Sequence, residues 1–262
     1  MASDAIAMGF DVRATSANRY VGTVQQLWRY PVSSLGGERL SRLAITGGGV
    51  HGDREYVLVD VATGEVAAPE TTPRWRRCVL LAARSLQSHQ VLVSSANWEF
   101  KVGDAALDQA VSEFMGFPCG IRRVGSSDDP SSLNGHYAPR YEISPLHVLT
   151  TSNLASLQAA VPDSAVDVRR FRPNLVIDSI ELEDTWVGDK LETGSYSGTV
   201  IEATKRCGMT MIAQPGVDED PDVLRAVVRG RGRRFGVYAD VTREGGVCVG
   251  DAVYVAASEL SN

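Results

Sequence analysis

The sequence predicts a mixed, β-rich α+β fold, and three observations carry that prediction. Short segments rich in Val, Ile, Tyr and Phe recur between Gly and Asn/Asp turns along most of the chain, the pattern of strands separated by tight turns. Only three stretches carry a helical period. One aperiodic, polar stretch, "GSSDDPSSLNGHYAPRYEIS" from Gly125 to Ser144, divides the strand-rich material in two.

In chain order, residues 1–19 have no period and are expected to be a flexible N-terminus, and "YVGTVQQLWRYPV" opens the folded part. "REYVLVDVATGEVAA" reads as a hairpin around Thr63 and Gly64, and "HQVLVSSANWEFKVGD" as a second strand pair. In "DAALDQAVSEFMG", Leu107, Ala110, Val111 and Phe114 fall on one helical face between a candidate cap at Asp104 and Gly116. "LTTSNLASLQAAVPD" gives a short helix with Thr151 or Ser152 as its cap. Strands follow in "NLVIDS" and "KLETGSYSGTVIEATKRC", then a helix over 221–228, then "FGVYADVT" and "GVCVGDAVYV" around Glu244, Gly245 and Gly246. The spans expected are therefore a first unit over 20–125, a linker over 126–144 and a second unit over 145–258.

Composition narrows the function. With 262 residues, 44% hydrophobic, the chain can build a sizeable core, and its net charge of −6 speaks against nucleic-acid partners and anionic membrane surfaces. No apolar run reaches the roughly 18 residues of a membrane span, and no secretory leader is apparent, so a cytoplasmic protein is expected. Cys78, Cys119, Cys207 and Cys248 are scattered without paired spacing, which predicts reduced thiols.

Three clusters could carry chemistry. In "ATKRCGMTM", Cys207 follows Lys205 and Arg206, and nearby cations lower a thiol's pKa. If the segment is extended, Lys205 and Cys207 share a face, Arg206 points away, and Gly208 admits a close backbone approach. The bland alternative is a strand-end cysteine between solvated cations. "RRFRPN" gathers Arg169, Arg170, Arg172 and Asn174, planar donors suited to phosphate or a polar heterocycle, or else a turn before a strand. "VHGDREY" sets Asp53 and Arg54 after a glycine run that is neither GxGxxG nor a P-loop. His51, His89, His136 and His147 lack metal-ligand spacing and read as structural, and Glu181, Glu183 and Asp184 read as a polar turn. Soft metals and sulfur chemistry suit a thiol beside a cationic pocket.

Taken together these motifs resemble the MOSC family, named for the C-terminal domain of molybdenum cofactor sulfurases, in the form that carries a preceding N-terminal β-barrel-like domain. The resemblance rests on "YPVSSLGG" at Tyr30 to Gly37, "GGVHGDREYVLVD" at Gly48 to Asp60, and "PLHVLTTSNLASL", "RRFRPNLVID", "EDTWVG", "RC" and "FGVYADV" in the family's order. It implies an irregular β-barrel with peripheral helices after a smaller barrel-like domain. It also implies a molybdenum cofactor (molybdopterin) with Cys207 as the metal's protein ligand, and Ser34, Arg54, Thr150, Thr151, Arg172 and Asn174 around the pterin and its phosphate. Ser33 stands where the family has a lysine, which leaves Arg29 or Arg54 to compensate.

The activity implied is an oxidoreductase that reduces small N-hydroxylated molecules, fed by a separate electron-transfer protein. Two alternatives stay open: a sulfurtransferase that takes a persulfide on Cys207 from a cysteine desulfurase and passes it to a sulfur acceptor, and a non-catalytic cofactor carrier. Pyridoxal phosphate, held by the desulfurase half of cofactor sulfurases, is not expected here, nor are a ferredoxin-like domain or a membrane anchor.

Overall fold

The structure, a computed structural model, describes residues 18–86, 90–125, 137 and 145–258. The expected flexible N-terminus and linker therefore fall almost wholly outside the described residues, as do His89 and His136.

The first half runs β1 (Arg19–Arg29), β2 (Glu38–Leu40), β3 (Arg42–Thr46), β4 (Gly49–Val50), β5 (Tyr56–Asp60), β6 (Ala82–Ser85), β7 (Val91–Ser94), β8 (Glu99–Lys101), α1 (Ala105–Met115) and β9 (Cys119–Arg123). The second continues with β10 (Leu146–Thr150), α2 (Thr151–Ala160), β11 (Leu175–Asp178), β12 (Lys190–Thr193), β13 (Tyr196–Lys205), α3 (Pro221–Arg231), β14 (Arg234–Ala239), β15 (Gly245–Cys248) and β16 (Ala252–Ala256). The β-rich α+β class predicted from the turn spacing is what the chain adopts.

Seven strands close a barrel in the order β11, β10, β14, β13, β12, β16, β1, with β1 pairing antiparallel to both β16 and β11. Closure leaves no barrel edge to protect. The 11-residue β1 can serve two neighbours because its register shifts at Tyr20/Gly22 and Val24/Gln26, which bends it around the corner. Gly22 makes one bend possible: its φ is 150°, and a Cβ there would lie 2.0 Å from the Asp178 carbonyl oxygen. β1 lies within 20–125 in sequence but hydrogen-bonds to strands of 145–258, and β3 likewise pairs with β15. Sequence neighbours and hydrogen-bond neighbours thus part at the start of the chain.

Three apolar clusters stabilise this arrangement. One fills the barrel around Leu27, Trp186, Tyr196 and Val237; a second packs β5, β9, α1 and the 3-10 turn Pro73–Leu80 around Trp75 and Leu58; a third seats α2 and α3 on Phe171 and Phe235. Each such side chain, once fully buried, contributes about 1.5–3 kcal/mol. The hairpin at Thr63 and Gly64 forms as expected, its turn fixed by the Asp60 carboxylate accepting from the amides of Ala62 and Thr63. α1 buries Leu107 and Val111 and ends on left-handed Gly116.

Three local expectations are corrected. The cap of α2 is Thr150, whose hydroxyl accepts from the Asn153 amide, one residue before the expected Thr151. β14 and β15 form no hairpin: β14 lies between β10 and β13 while β15 crosses to β3. Glu183 belongs to no solvated turn. It is fully buried and accepts from the Thr150 amide and hydroxyl and from the Asn153 side-chain amide.

Candidate functional site

A cleft of about 440 Å³ opens where the 30s and 50s loops of the first half meet β10, the 170–174 turn and the end of β13. That volume suits a small organic ligand. Cys207 lines it, together with Ser34, Arg54, Arg172 and Asn174.

Cys207 owes its place to the end of a strand. β13 stops at Lys205, the Arg206 amide donates to the Arg233 carbonyl, and extended Cys207 precedes the 3-10 turn Gly208–Met211. Met209 and Ile212 anchor that turn in the second core cluster, against which Cys207 itself packs. Gly208 admits the close approach its position suggested: a Cβ there would lie 2.8 Å from the Glu70 carbonyl oxygen. The loop at Glu70 therefore lies directly against the residue after the thiol.

Strain collects at the same cleft. Four described non-glycine residues have positive φ, and three of them, Ser34 at 70°, Arg54 at 56° and Arg172 at 55°, line the cleft. Such conformations cost of order 1–3 kcal/mol each and persist only where neighbours enforce them. The Arg54 amide donates to the Tyr30 carbonyl, and its guanidinium engages the Asp53 carboxylate and the Arg172 carbonyl. The Arg172 guanidinium donates to the Leu35 carbonyl at 2.6 Å. Both guanidiniums lie over the buried ring of Tyr30, Arg54 at 5.2 Å and Arg172 at 4.2 Å from its centre.

The floor is a buried His147 and Arg206 pair. Arg206, expected to point away, instead turns inward: its guanidinium donates to the Phe235 and Phe171 carbonyls and to His147 Nε2. Burial pulls its pKa down to about 10, opposed by Tyr238, Cys207 and Glu183. Burial, then the Arg206 charge, holds His147 well below the ordinary imidazole value. Its Nδ1 faces the Arg172 carbonyl at 3.3 Å. Only the neutral ring protonated on Nδ1 satisfies both contacts, donating to Arg172 and accepting from Arg206. Gly236, at φ 85°, leaves room for this pair, since a Cβ would lie 2.4 Å from His147 Nε2.

The structure thus brings Cys207, Ser34, Arg54, Arg172 and Asn174 to one cleft, but not Thr150 and Thr151. Thr150 is buried on Glu183 and caps α2, and Thr151 bonds to Asp178 and the Ser179 carbonyl. Thr150 thus serves the start of α2, and Thr151 ties that start to the end of β11 and the residue after it. The Asn174 amide is committed at both ends, accepting from the His147 amide and donating to the Trp28 carbonyl, so it ties β1 to β10 at the cleft wall. Arg169 pairs with Asp167, and Arg29 pairs with Glu38 away from the cleft. His147 and Tyr30 carried no signal beyond an apolar run and a strand end. The buried thiol of Cys119, by contrast, is pushed up to about 12 by desolvation and the Asp60 charge.

Comparison with known proteins agrees with this architecture. The chain is 26% identical over 282 residues to "Mitochondrial amidoxime reducing component 2" of Bos taurus, covering 89% of this chain and 83% of that one. It is 24% identical to "Mitochondrial amidoxime-reducing component 1" of Homo sapiens over 90% of this chain and 83% of that one. A molybdenum cofactor sulfurase of Oryza sativa subsp. japonica is 28% identical over 71% of this chain and 28% of its own length. Among solved structures, the YUAD protein of Bacillus subtilis superposes with a TM-score of 0.51 at 13% identity, over 94% of this chain and 100% of that one, a likeness of fold alone. The MOSC N-terminal beta barrel domain model matches residues 21–115 and the MOSC domain model matches 134–254, and the chain belongs to the MOSC family.

Proposed function

We propose that the chain binds a molybdenum cofactor in the cleft and reduces small N-hydroxylated molecules, with Cys207 as the protein's ligand to molybdenum. The observation that carries this reading is the convergence of one thiol with Arg54, Arg172 and Lys205 on a single cleft. That donor set fits the group: a thiolate suits a soft metal, and guanidiniums suit an anionic pterin phosphate. Among the described residues no three His, Cys, Asp or Glu side chains gather as a metal site, so Cys207 would act as a lone protein ligand. The relatives' names, amidoxime reducing component and molybdenum cofactor sulfurase, point the same way.

When bound, the cofactor supplies two-electron redox chemistry at molybdenum. The chain's own residues hold and orient it. Tyr30 and Asp53 fix Arg54; Arg54, His147 and Leu35 fix Arg172; and neutral His147 keeps Arg206 under the Cys207 backbone. Ser33, buried at the cleft wall, leaves the phosphate end to Arg54, since Arg29 is held elsewhere by Glu38. The electrons come from a separate donor protein. Among the described residues no helix is long and apolar enough to cross a membrane.

A sulfur-carrier reading uses the same thiol, and the partial exposure of Cys207 favours it. The test is metal analysis and benzamidoxime reduction on protein from a cofactor-producing host. Molybdenum bound by the wild type and lost with turnover in Cys207→Ala is expected. No molybdenum, with one sulfur added to Cys207 after incubation with a cysteine desulfurase, would favour the carrier.

A further inference from the structure

The described surface carries a concentration of unpaired positive charge beside Cys207, although the chain's net charge is −6. The segment "RAVVRGRGRR" places five arginines between Arg225 and Arg234, with no carboxylate from Val223 to Ala239. Arg225 is answered by Asp222, and Arg231 donates to Ser156. Lys205, Arg229, Arg233 and Arg234 are exposed, and none forms an ion pair among the described residues. A cation in the last turn of α3 answers the helix dipole. Arg233 and Arg234 lie beyond the Gly232 cap and Lys205 on another strand, where no dipole calls for them.

The patch touches the site. Lys205 lines the cleft and is the register partner of Arg234, one strand spacing away. Arg233, held at φ 70°, donates through its guanidinium to the Arg206 carbonyl, the peptide that joins Arg206 to Cys207. A protein resting on these cations sits within a few residues of the thiol.

We infer that Lys205, Arg229, Arg233 and Arg234 form the docking surface for a small, acidic one-electron carrier protein that feeds the cleft. The inference rests on the reductase reading. Cleaving one N–O bond takes two electrons and two protons and gives the N–H product and one water, so two reduced carriers dock and leave in turn. A patch of exposed cations suits such turnover, because it speeds encounter without slowing release. A compact acidic protein fits better than nucleic acid or an anionic membrane, whose extended charge would also meet the rest of this acidic chain.

The probe is a plant-type ferredoxin, an acidic one-electron carrier, with cytochrome c as a basic control. Binding is measured on cofactor-loaded wild type and on Arg229→Glu/Arg234→Glu, alongside amidoxime reduction driven by a reduced viologen dye. Ferredoxin should bind the wild type with steep salt dependence, the variant should bind about tenfold or more weakly, cytochrome c should not bind, and dye-driven turnover should be equal in the two proteins. Ferredoxin binding both proteins alike or neither, equal binding of cytochrome c, or charge-dependent binding only to anionic vesicles overturns the inference. If the dye gives no turnover while ferredoxin binding keeps its charge dependence, the reductase reading fails and the surface stands.

Discussion

Tyr30→Leu should weaken anion binding in the cleft without touching any residue that lines it. The ring is 1% exposed, with the Arg172 and Arg54 guanidiniums 4.2 and 5.2 Å from its centre. Cation–π contacts contribute about 0.5–2 kcal/mol each depending on exposure, so the ring supplies about 1–4 kcal/mol toward holding two like charges together. If about 1 kcal/mol of this reaches ligand affinity, Kd rises about fivefold. The assay is calorimetric titration of cofactor-free protein with inorganic pyrophosphate, beside urea unfolding. Tyr30→Phe separates the ring from the hydroxyl, which is buried with no hydrogen-bond partner among the described residues. Removing it should leave Kd unchanged and stability equal or about 1 kcal/mol higher. Equal weakening by Phe and Leu, or none by either, would refute the ring's role.

Glu183→Ala strands three buried donors and should cost about 1–3 kcal/mol or more in urea unfolding, with Glu183→Gln less damaging. Burial raises the Glu183 pKa in the folded state, so this group destabilises at neutral pH and less so as pH falls; the Gln variant should lose that acid-side gain. His147 has the opposite sense. Its folded pKa is depressed, so stability should fall as pH drops below the unfolded value of about 6.5, and His147→Gln should flatten that slope in pH-dependent melts. Gly208→Ala forces backbone apart at Glu70 and should cost about 1–3 kcal/mol, whereas Gly230→Ala, with open space in α3, should gain about 0.5–1 kcal/mol in thermal melts.

Periodicity and turn chemistry were enough to read most elements, because hairpins such as Asp60 to Val66 and helices such as α1 are set by local residues. They could not show that β1 closes the barrel of the second half, since strand partners are chosen by long-range packing that no single strand displays. The same limit applies at the site. Cys207, Arg54 and Arg172 carried chemistry visible in their own neighbourhoods, but the left-handed backbone that aims Arg54 and Arg172 depends on Tyr30, Asp53 and His147, which sequence scatters over more than a hundred positions. The resemblance implies Thr150 beside the pterin, but its hydroxyl is spent on Glu183, which lies on a distant turn. Arg206 was expected outward by strand alternation, which had already ended at Lys205.

The central claim, that the Cys207 thiolate is the protein's ligand to molybdenum, is tested most directly by X-ray absorption at the molybdenum edge on loaded wild type and Cys207→Ser. The account predicts one fewer sulfur around the metal in the variant, with the pterin sulfurs retained. An identical sulfur count in the two proteins would contradict it.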